Sequence, residues 1–142
     1  MGSLNLDQII VTPLNRIATE GGDVLHGMKS IDSGFNGFAE AYFSWIDKNS
    51  IKAWKKHNRM TMNLMVPVGM VRFVFFHEPS NKFSTIDIGD KNYVRVTVPP
   101  GFWFGFKGLT LSKNLVLNIS NILHEKNESD RLGIDLIKYD WN

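Results

Sequence analysis

The amino-acid sequence predicts an all-β protein with a sandwich or barrel architecture. Short apolar and β-branched runs recur at similar spacing, and turn residues separate them at 20–23, 34–37 and 47–50. No window shows the sustained 3.6-residue apolar period that an amphipathic helix needs. About nine short strands with few helices are typical of β-sandwiches and barrels.

The predicted strands follow one another along the chain. They cover 8–14, 24–29, 38–46, 51–57, 60–68, 70–77, 93–98, 102–106 and 115–119. Alternate residues of the third run share a face, as expected of a strand. One of its faces carries Phe38, Glu40, Tyr42 and Ser44, and the other carries Ala39, Ala41, Phe43 and Trp45. Prolines at 67, 99 and 100 favour extended or turn geometry at the ends of later runs. The tail 127–141 is predicted to hold a helical turn or two.

Length and composition indicate one domain that spans residues 1–142. The chain has 142 residues, of which 43% are hydrophobic and 12% aromatic, enough for one full core. Sixteen Lys and Arg nearly balance fourteen Asp and Glu. A duplex-binding surface needs a clustered basic excess, and the one short candidate is Lys52, Lys55 and Lys56. We therefore expect no nucleic-acid partner, although a single bound phosphate group is compatible with this charge.

The sequence contains no cysteine, which excludes disulfides, thiolate catalysis and thiolate metal sites. The N-terminus lacks the pattern of a signal peptide, and no apolar run approaches the ~20 residues of a membrane helix. We therefore expect a cytoplasmic protein with no membrane partner. His26, His57, His77 and His124 occur singly, without the close pairs typical of metal sites, so no metal is predicted. Hydrolase, nucleotide-phosphate and dinucleotide motifs are also missing.

The segment 52–59 combines the most cationic and aromatic side chains. If it is extended, Lys55 and His57 share one face, and Trp54 and Lys56 share the other. Two interpretations stay open from alternation alone. The Lys55 face looks either at water or into a barrel lumen, where nearby cations lower the pKa of the histidine and keep it able to act as a base.

Several segments resemble the cupin-type jelly rolls of deoxysugar biosynthesis, namely the dTDP-4-dehydrorhamnose 3,5-epimerases and the dTDP-4-keto-6-deoxyhexose 3,4-ketoisomerases. The runs 10–13 and 22–25 look like the opening strand and turn of that family. KAWKKH at 52–57 lies where the epimerases have R-G-L-H and the ketoisomerases R-G-x-H-x-H, and Gly69 matches a later turn. VPPGFWFGF at 98–106 is similar to the epimerase P-P-G-F-A-H-G-F.

This resemblance implies a cupin-type jelly-roll barrel, commonly a homodimer, that binds a nucleoside-diphosphate sugar in its mouth without a metal or redox cofactor. It implies an enzyme that removes a proton next to the C4 ketone. The sequence departs from the family at several positions. The epimerase base falls on Lys55, the later histidine on Phe104, the preceding arginine on Lys52 and the early arginine on Gly21, and no tyrosine stands near 122–123.

His57 matches the second ketoisomerase histidine, and we expect it to shuttle the proton while Tyr42 acts as the acid or polarises the ketone. The other expected site residues bind substrate. Lys52 and Lys55 would neutralise a diphosphate or an enolate, Glu40 would orient a hydroxyl, and His26 would line the same pocket. Trp54 would stack on the nucleotide base, unless it belongs to the core or to an interface. Lys55 acting as the base is a variant of this scheme.

Two alternatives to an active isomerase stay open. One is a catalytically silent cupin of the same pathway that binds a nucleotide sugar. The other is a metal-dependent cupin, which needs the histidines that Lys55 and Phe104 replace. The aromatic residues Phe102, Trp103 and Phe106 are predicted to form either an interface or the barrel core.

Overall fold

The structure is a computed structural model and describes residues 4–142. These residues form twelve strands and three short 3₁₀ turns. The strands are β1 (Ile10–Pro13), β2 (Arg16–Ile17), β3 (Val24–Leu25), β4 (Glu40–Ile46), β5 (Ile51–His57), β6 (Met62–Val68), β7 (Met70–His77), β8 (Lys82–Gly89), β9 (Val94–Val98), β10 (Trp103–Gly108), β11 (Asn114–Ser120) and β12 (Ser129–Arg131). The turns are Leu6–Gln8, Glu78–Ser80 and Ile134–Leu136.

Two antiparallel five-stranded sheets make up the architecture. Sheet I has the order β1-β9-β6-β11-β4, and sheet II has the order β12-β5-β10-β7-β8. Strands β2 and β3 form a separate small hairpin. Strands that follow each other in the chain often lie in opposite sheets, as in a jelly roll. The all-β prediction is therefore confirmed.

The main core lies between the two sheets, because its buried side chains come from both. Sheet I contributes Met62, Leu64, Val66, Val94, Val96, Val98 and Val116, and sheet II contributes Val71, Phe73, Phe75, Ile88 and Phe104. In β11 every second residue from Asn114 to Ser120 is buried, which is the alternation expected when one face of a sheet packs inward. Phe102 is buried in this core and Phe106 packs against it, so the core interpretation holds for these two aromatics. Trp103 is also buried, but it lies in a second cluster outside the main core.

A second buried cluster covers the outer face of sheet II. The C-terminal tail supplies Ile137 and Trp141, which pack against Trp54, Phe76 and Trp103. The Trp141 ring centroid lies 5.4 Å from that of Trp54. The Lys107 Nζ donates a hydrogen bond to the Trp141 carbonyl at 2.7 Å, which fixes the end of the tail on β10.

The sequence pattern missed β2, β8 and β12. In β8 the apolar residues point both ways, because Ile86 and Ile88 pack on the main core while Phe83 packs on the outer cluster. Such a strand shows no clean alternation. The predicted run 24–29 is extended only to Leu25, since the Arg95 guanidinium holds the Gly27 carbonyl at 2.8 Å and directs the chain into a loop. The tail contains one 3₁₀ turn, as predicted, but also β12.

Within residues 4–142, no helix has the length and apolar character needed to cross a membrane.

We predict that Trp141→Ala lowers the free energy of unfolding by about 3 kcal/mol, as large-to-small changes in buried aromatics do. Trp141 is 7% exposed and contacts both Trp54 and Tyr139. Urea unfolding followed by tryptophan fluorescence measures the change. Leu136→Ala in the same tail is the matched control, because Leu136 is 69% exposed, and its stability should stay within about 0.5 kcal/mol of the wild type. Equal stability of the two variants would contradict the anchoring role of Trp141.

Candidate active site

A cavity of about 460 Å³ opens between the two sheets near β5. Its polar lining comes from both sheets. The lining side chains with polar groups are Tyr42, Ser44, Lys52, Lys55, His57, Asn118 and Arg131. Apolar residues of the main core, among them Met62, Leu64 and Phe104, form the rest of the wall. The cavity therefore places hydrogen-bonding and cationic groups over an apolar floor, as small-molecule sites commonly do.

A register shift in β5 determines which of its side chains reach the cavity. Phe104 pairs with Lys55, but the next residue, Gly105, pairs with Ala53, so one extra residue is accommodated at Trp54. Strict alternation would place Lys52 on the same face as Trp54. The bulge instead brings Lys52 to the cavity together with Lys55 and His57. Gly105 allows this close approach, because a Cβ there would lie 2.6 Å from the Ala53 Cβ.

His57 is paired with a carboxylate from the C-terminal segment. Its Nδ1 lies 2.6 Å from Glu128 Oε1, and both residues are 3% exposed. The second oxygen of Glu128, Oε2, accepts three backbone N–H groups, from Asn58 at 3.0 Å and from Arg59 and Met60 at 2.9 Å each. The carboxylate is thereby fixed beside the ring, and Nδ1 carries the hydrogen that it donates to Glu128.

The pKa values of this pair follow from its surroundings. Burial is the largest cause that lowers the pKa of His57 below its ordinary value, and the positive charge of Lys55 adds to it, while Glu128 opposes both. Burial alone would raise the pKa of Glu128, but the N–H groups of Arg59 and Met60 and the His57 ring outweigh it, so this pKa is lowered. At neutral pH the pair is therefore a neutral imidazole beside a carboxylate.

The other ring nitrogen of His57 has no partner. Nε2 is buried and makes no hydrogen bond among the described residues. The ring of Phe104 stacks on the imidazole with a centroid separation of 5.7 Å and an angle of 15°. An unpaired buried nitrogen costs free energy, and in native structures such atoms often mark functional sites. The arrangement leaves a basic lone pair in an apolar setting.

Tyr42 faces the same cavity from the opposite sheet. It lies directly across from Asn118 in the β4–β11 pair, and its hydroxyl accepts a hydrogen bond from Asn118 Nδ2 at 2.9 Å. Burial is the largest cause that raises the pKa of Tyr42, and the nearby Glu40 charge adds to it. The phenol is therefore protonated at neutral pH and is able to donate a hydrogen bond or a proton.

Cations gather on the sheet II side of the cavity. Lys55 and Arg131 are directly opposite each other in the β5–β12 pair, and neither forms an ion pair with a described carboxylate. Burial lowers the pKa of Lys55, and the charge of Arg131 lowers it further. Lys52 donates through Nζ to the Trp45 carbonyl at 2.8 Å. Two like charges placed side by side are unfavourable unless an anion joins them, so this wall suits a negatively charged ligand.

The structure brings together five of the predicted site residues. His57, Tyr42, Lys52 and Lys55 line the cavity with their polar groups, and Trp54 adjoins it. The Trp54 ring, however, is 2% exposed within the outer aromatic cluster, and its Nε1 donates to the Ile134 carbonyl at 3.2 Å. Of the predicted alternatives for Trp54, its position matches the core. Its ring leaves no free face for a nucleotide base.

Two predicted residues lie outside the cavity wall. Glu40 is on the same face of β4 as Tyr42 but is not part of the lining. His26 lies in a different depression, formed by the loop after β3 and by Arg95, which shares no residue with the cavity. The described chain therefore does not bring His26 together with His57.

Sequence reasoning missed Glu128, Asn118 and Arg131. Glu128 and Arg131 lie in the tail, which was predicted to hold a helical turn or two. Glu128 is more than 70 residues from His57 in the sequence. One signal was available: a catalytic histidine needs an acceptor for its second ring nitrogen. That requirement calls for a carboxylate but does not say which of the fourteen Asp and Glu residues supplies it.

Among residues 4–142 no group of three or more His, Asp or Glu side chains is arranged to hold a metal ion.

Comparisons with known proteins identify structures with the same architecture. A dTDP sugar isomerase from Desulfovibrio desulfuricans G20 is 31% identical, with a TM-score of 0.90 over 95% of this chain and 91% of that chain. The sugar 3,4-ketoisomerase QdtA from Thermoanaerobacterium thermosaccharolyticum, in complex with TDP, is 17% identical, with a TM-score of 0.76 over 94% of this chain and 93% of that chain. The 3,5-epimerase RmlC from Legionella pneumophila Philadelphia 1, in complex with dTDP-4-keto-L-rhamnose, is 14% identical, with a TM-score of 0.80 over 97% and 80%.

The predicted cupin-type jelly roll is confirmed by these likenesses, and at 17% and 14% identity they are evidence of the fold alone. The sequence matches no model of a protein family, and no curated protein matches it.

We predict that Glu128→Gln moves the ring hydrogen of His57 from Nδ1 to Nε2. Three backbone N–H groups need an acceptor, so the amide oxygen stays with them and the amide nitrogen faces the ring. Nδ1 must then accept, and the hydrogen appears on Nε2. Nitrogen-15 NMR of the histidine side chains distinguishes the two tautomers at pH 8. A ring of His57 that keeps its hydrogen on Nδ1 in the variant would show that Glu128 does not set the tautomer.

Proposed function

Because this chain belongs to the family of dTDP-sugar isomerases and epimerases with the cupin-type jelly roll, we propose that it transfers protons next to the ketone of a dTDP-linked 4-keto-6-deoxy sugar, or of a similar nucleoside-diphosphate keto-sugar. The proposal includes an active, cofactor-independent enzyme formed by a single domain. It also includes a cytoplasmic location and a role in deoxysugar or cell-surface polysaccharide biosynthesis, both of which follow from the resemblance described above.

The observation that carries the proposal is the His57–Glu128 pair. A general base must be neutral at the working pH and must have a free lone pair. The lowered pKa of His57 meets the first condition, and the hydrogen bond of Nδ1 to Glu128 leaves Nε2 for the second. After the ring accepts a proton, the neighbouring carboxylate stabilises the imidazolium, as the aspartate of a Ser-His-Asp triad does.

In the proposed reaction His57 Nε2 takes the proton from the carbon beside the ketone. The electron pair of that C–H bond forms the enolate double bond, and the ketone oxygen gains the negative charge. Tyr42 donates a hydrogen bond or its proton to this oxygen, which stabilises the enolate. When a proton returns to the same carbon from the other face, the ketone re-forms, Tyr42 recovers any proton that it gave, and the product is the epimer. When the proton returns to the former ketone carbon instead, the neighbouring hydroxyl loses its hydrogen, its carbon becomes the ketone, and the product is the ketoisomer. Atoms and electrons balance in both cases without an external oxidant or reductant.

The cationic wall is proposed to bind the diphosphate. Lys55 and Arg131 face each other without a carboxylate partner in the part of the chain that the structure describes, and an anion between them would relieve their repulsion. Lys52 lies on the same strand and extends this cationic stretch.

Glu40, on the face of β4 that also carries Tyr42, is proposed to orient a sugar hydroxyl at the edge of the site. We retain Lys55 as the base in a variant of this scheme, because burial and the charge of Arg131 lower its pKa and so favour the neutral amine.

A second candidate function is favoured by the burial of His57 Nε2. Water does not reach this atom, and Phe104 stacks on the ring. A substrate carbon can reach Nε2 only after a neighbouring side chain moves. If none moves, the chain binds a nucleotide sugar without turning it over, as a silent partner of the same pathway.

We predict that the wild-type chain exchanges deuterium from D₂O into dTDP-4-keto-6-deoxyglucose and that His57→Ala slows this exchange at least a hundredfold. The reason is that general-base catalysis contributes about 10²–10⁴ in rate. Proton NMR of the sugar follows the loss of the exchanging signals and reports any isomer formed. His77→Gln is the matched control, because His77 is a buried histidine outside the cavity.

Calorimetric titration with dTDP separates the two candidates. Exchange in the wild type that disappears in His57→Ala, with dTDP binding retained, supports the isomerase. Binding of dTDP without exchange into any keto-sugar supports the silent binding protein. Exchange that is equal in the wild type and in His57→Ala would remove His57 from the mechanism.

We also propose that the protein is a homodimer that pairs through the outer face of β4 and β11. The loop after β3 covers β9 and β6, since Arg95 and Asn63 hold its carbonyls at Gly27 and Gly34. Next to it, Phe43 and Trp45 on β4 are 62% and 52% exposed. Leu117 on β11 flanks these two aromatics, and the Lys113 Nζ lies 5.5 Å from the centroid of the Trp45 ring. The apolar part of this face suits the same face of a second copy.

Phe43→Asp is expected to convert the dimer into a monomer, because it places a charge in the centre of that face. Sedimentation equilibrium at tens of micromolar protein measures the mass. Leu136→Asp is the control, since Leu136 is 69% exposed in the tail that covers the outer face of sheet II, and it should leave the dimer intact. A wild-type chain that sediments as a monomer would exclude the proposed interface.

A further inference from the structure

The hydrogen bonds of Asn118 determine the direction in which the Tyr42 hydroxyl points. Asn118 is 3% exposed and lies between Tyr42 on β4 and Leu64 on β6. Its Oδ1 accepts the backbone N–H of Asn63 at 3.0 Å. A backbone N–H can only donate, so the atom that faces it must be the amide oxygen.

The amide nitrogen of Asn118 therefore faces the cavity side. Its two hydrogens are directed to Tyr42 Oη at 2.9 Å and to Met60 Sδ at 3.6 Å. The opposite orientation would set two donors against each other at Asn63 and would leave a buried polar atom unpaired, which costs about 1–3 kcal/mol. The backbone of Asn63 is itself held, because the Asn63 side chain bonds Thr97 at 2.5 Å and the Gly34 carbonyl at 3.1 Å.

A phenol oxygen that accepts a hydrogen bond from Asn118 keeps its own hydrogen for another acceptor. No described side chain takes that hydrogen, since Asn118 is the one polar partner of Tyr42 among residues 4–142. Tyr42 is 37% exposed and lines the cavity. The O–H group is consequently available to a ligand in the cavity.

We infer that Asn118 is a positioning residue that, fixed by the backbone N–H of Asn63, makes Tyr42 an obligatory hydrogen-bond donor toward the cavity. This inference rests on the proposed function for its catalytic meaning, because a donor is what an enolate oxygen requires. The chain of bonds itself is a property of the unliganded protein. It can therefore be tested whether or not any keto-sugar is turned over.

Asn118→Asp tests the direction of the bond with almost no change of shape. One carboxyl oxygen keeps the Asn63 N–H, and the other faces Tyr42. When the introduced carboxyl is ionised it can only accept, so the Tyr42 hydrogen turns away from the cavity toward it. When it is protonated, its O–H donates to Tyr42 as the amide did. The orientation of Tyr42 thus becomes dependent on pH.

The groups that face Tyr42 define the background for this titration. Asn118 lies beside it on β11, Glu40 lies on its own strand, and Glu128 acts on it across the cavity from sheet II. His57 and Lys55, which also line the cavity, are further groups that titrate within reach, and burial lowers the pKa of both. All of these are also present in the wild type, so a step that appears only in Asn118→Asp belongs to the introduced carboxyl.

The first measurement is carbon-13 NMR of protein labelled at tyrosine Cζ, between pH 5 and 9. The Tyr42 signal is assigned by its loss in Tyr42→Phe, and the signals of Tyr93 and Tyr139 serve as internal references. In Asn118→Asp we expect one titration step at Tyr42 that is absent from the wild type and from Asn49→Asp, an exposed turn position. A Tyr42 signal in Asn118→Asp that follows the wild-type curve would overturn the inference.

A second measurement leaves Asn118 in place, in case Asn118→Asp does not fold. In Tyr42→Phe one side-chain amide proton of Asn118 loses its acceptor, and its ¹H–¹⁵N signal should move upfield while the Asn63 backbone signal stays unchanged. An unmoved Asn118 signal would show that the bond to Tyr42 is not made.

If the wild type is active, turnover gives a third readout. At pH 8 the kcat/KM of Asn118→Asp should be about tenfold to a hundredfold lower than that of the wild type. The ratio of the two values should rise toward one as pH falls. A merely structural role lowers the ratio equally at every pH. A wild type that shows no exchange removes the proposed enzymatic function but leaves the NMR result to decide the orientation of Tyr42.

Discussion

The contacts of one carboxylate, Glu128, are the constraint on which the rest of the site depends. A buried carboxylate is costly unless several donors surround it. Glu128 has four, three from the backbone after β5 and one from His57. These bonds fix the turn at 58–60, hold the imidazole and join β12 to the edge of β5. Arg131 and Leu132, which follow in the chain, are thereby placed in the cavity wall. Loss of the carboxylate would leave three N–H groups unpaired and the His57 ring without its orienting partner.

The two sheets divide the chemistry between them. Sheet II provides His57 and the cations, through β5 and β12, while sheet I provides neutral donors, through Tyr42 on β4 and Asn118 on β11. A ligand between the sheets therefore meets a proton acceptor on one side and a hydrogen-bond donor on the other. Because these groups stand on paired strands rather than on loops, their positions are set by the register of the sheets. The bulge at Trp54 adjusts that register where strict alternation would have turned Lys52 away from the cavity.

The alternation of side chains along single strands was enough to predict much of this. It placed Tyr42 with Ser44, and Lys55 with His57, and both pairs line the cavity. What alternation could not supply is contact between distant parts of the chain. Glu128 belongs to the site because β12 pairs with β5, and nothing local in the tail 127–141 indicates that pairing. Trp54 was predicted on the correct face of β5, but whether that face meets a ligand or a tail depends on Trp141, at the far end of the sequence.

The apolar floor of the cavity explains why so few polar groups suffice. Met62, Leu64 and Phe104 keep water from His57, so burial lowers its pKa although a carboxylate touches its ring. The same exclusion strengthens each remaining electrostatic contact, because fewer waters screen it. Lys55 and Arg131 then attract an anion more strongly than two surface cations would. Phe104 is therefore a functional part of the wall: a polar side chain at this position would hydrate the imidazole and raise its pKa toward the ordinary value.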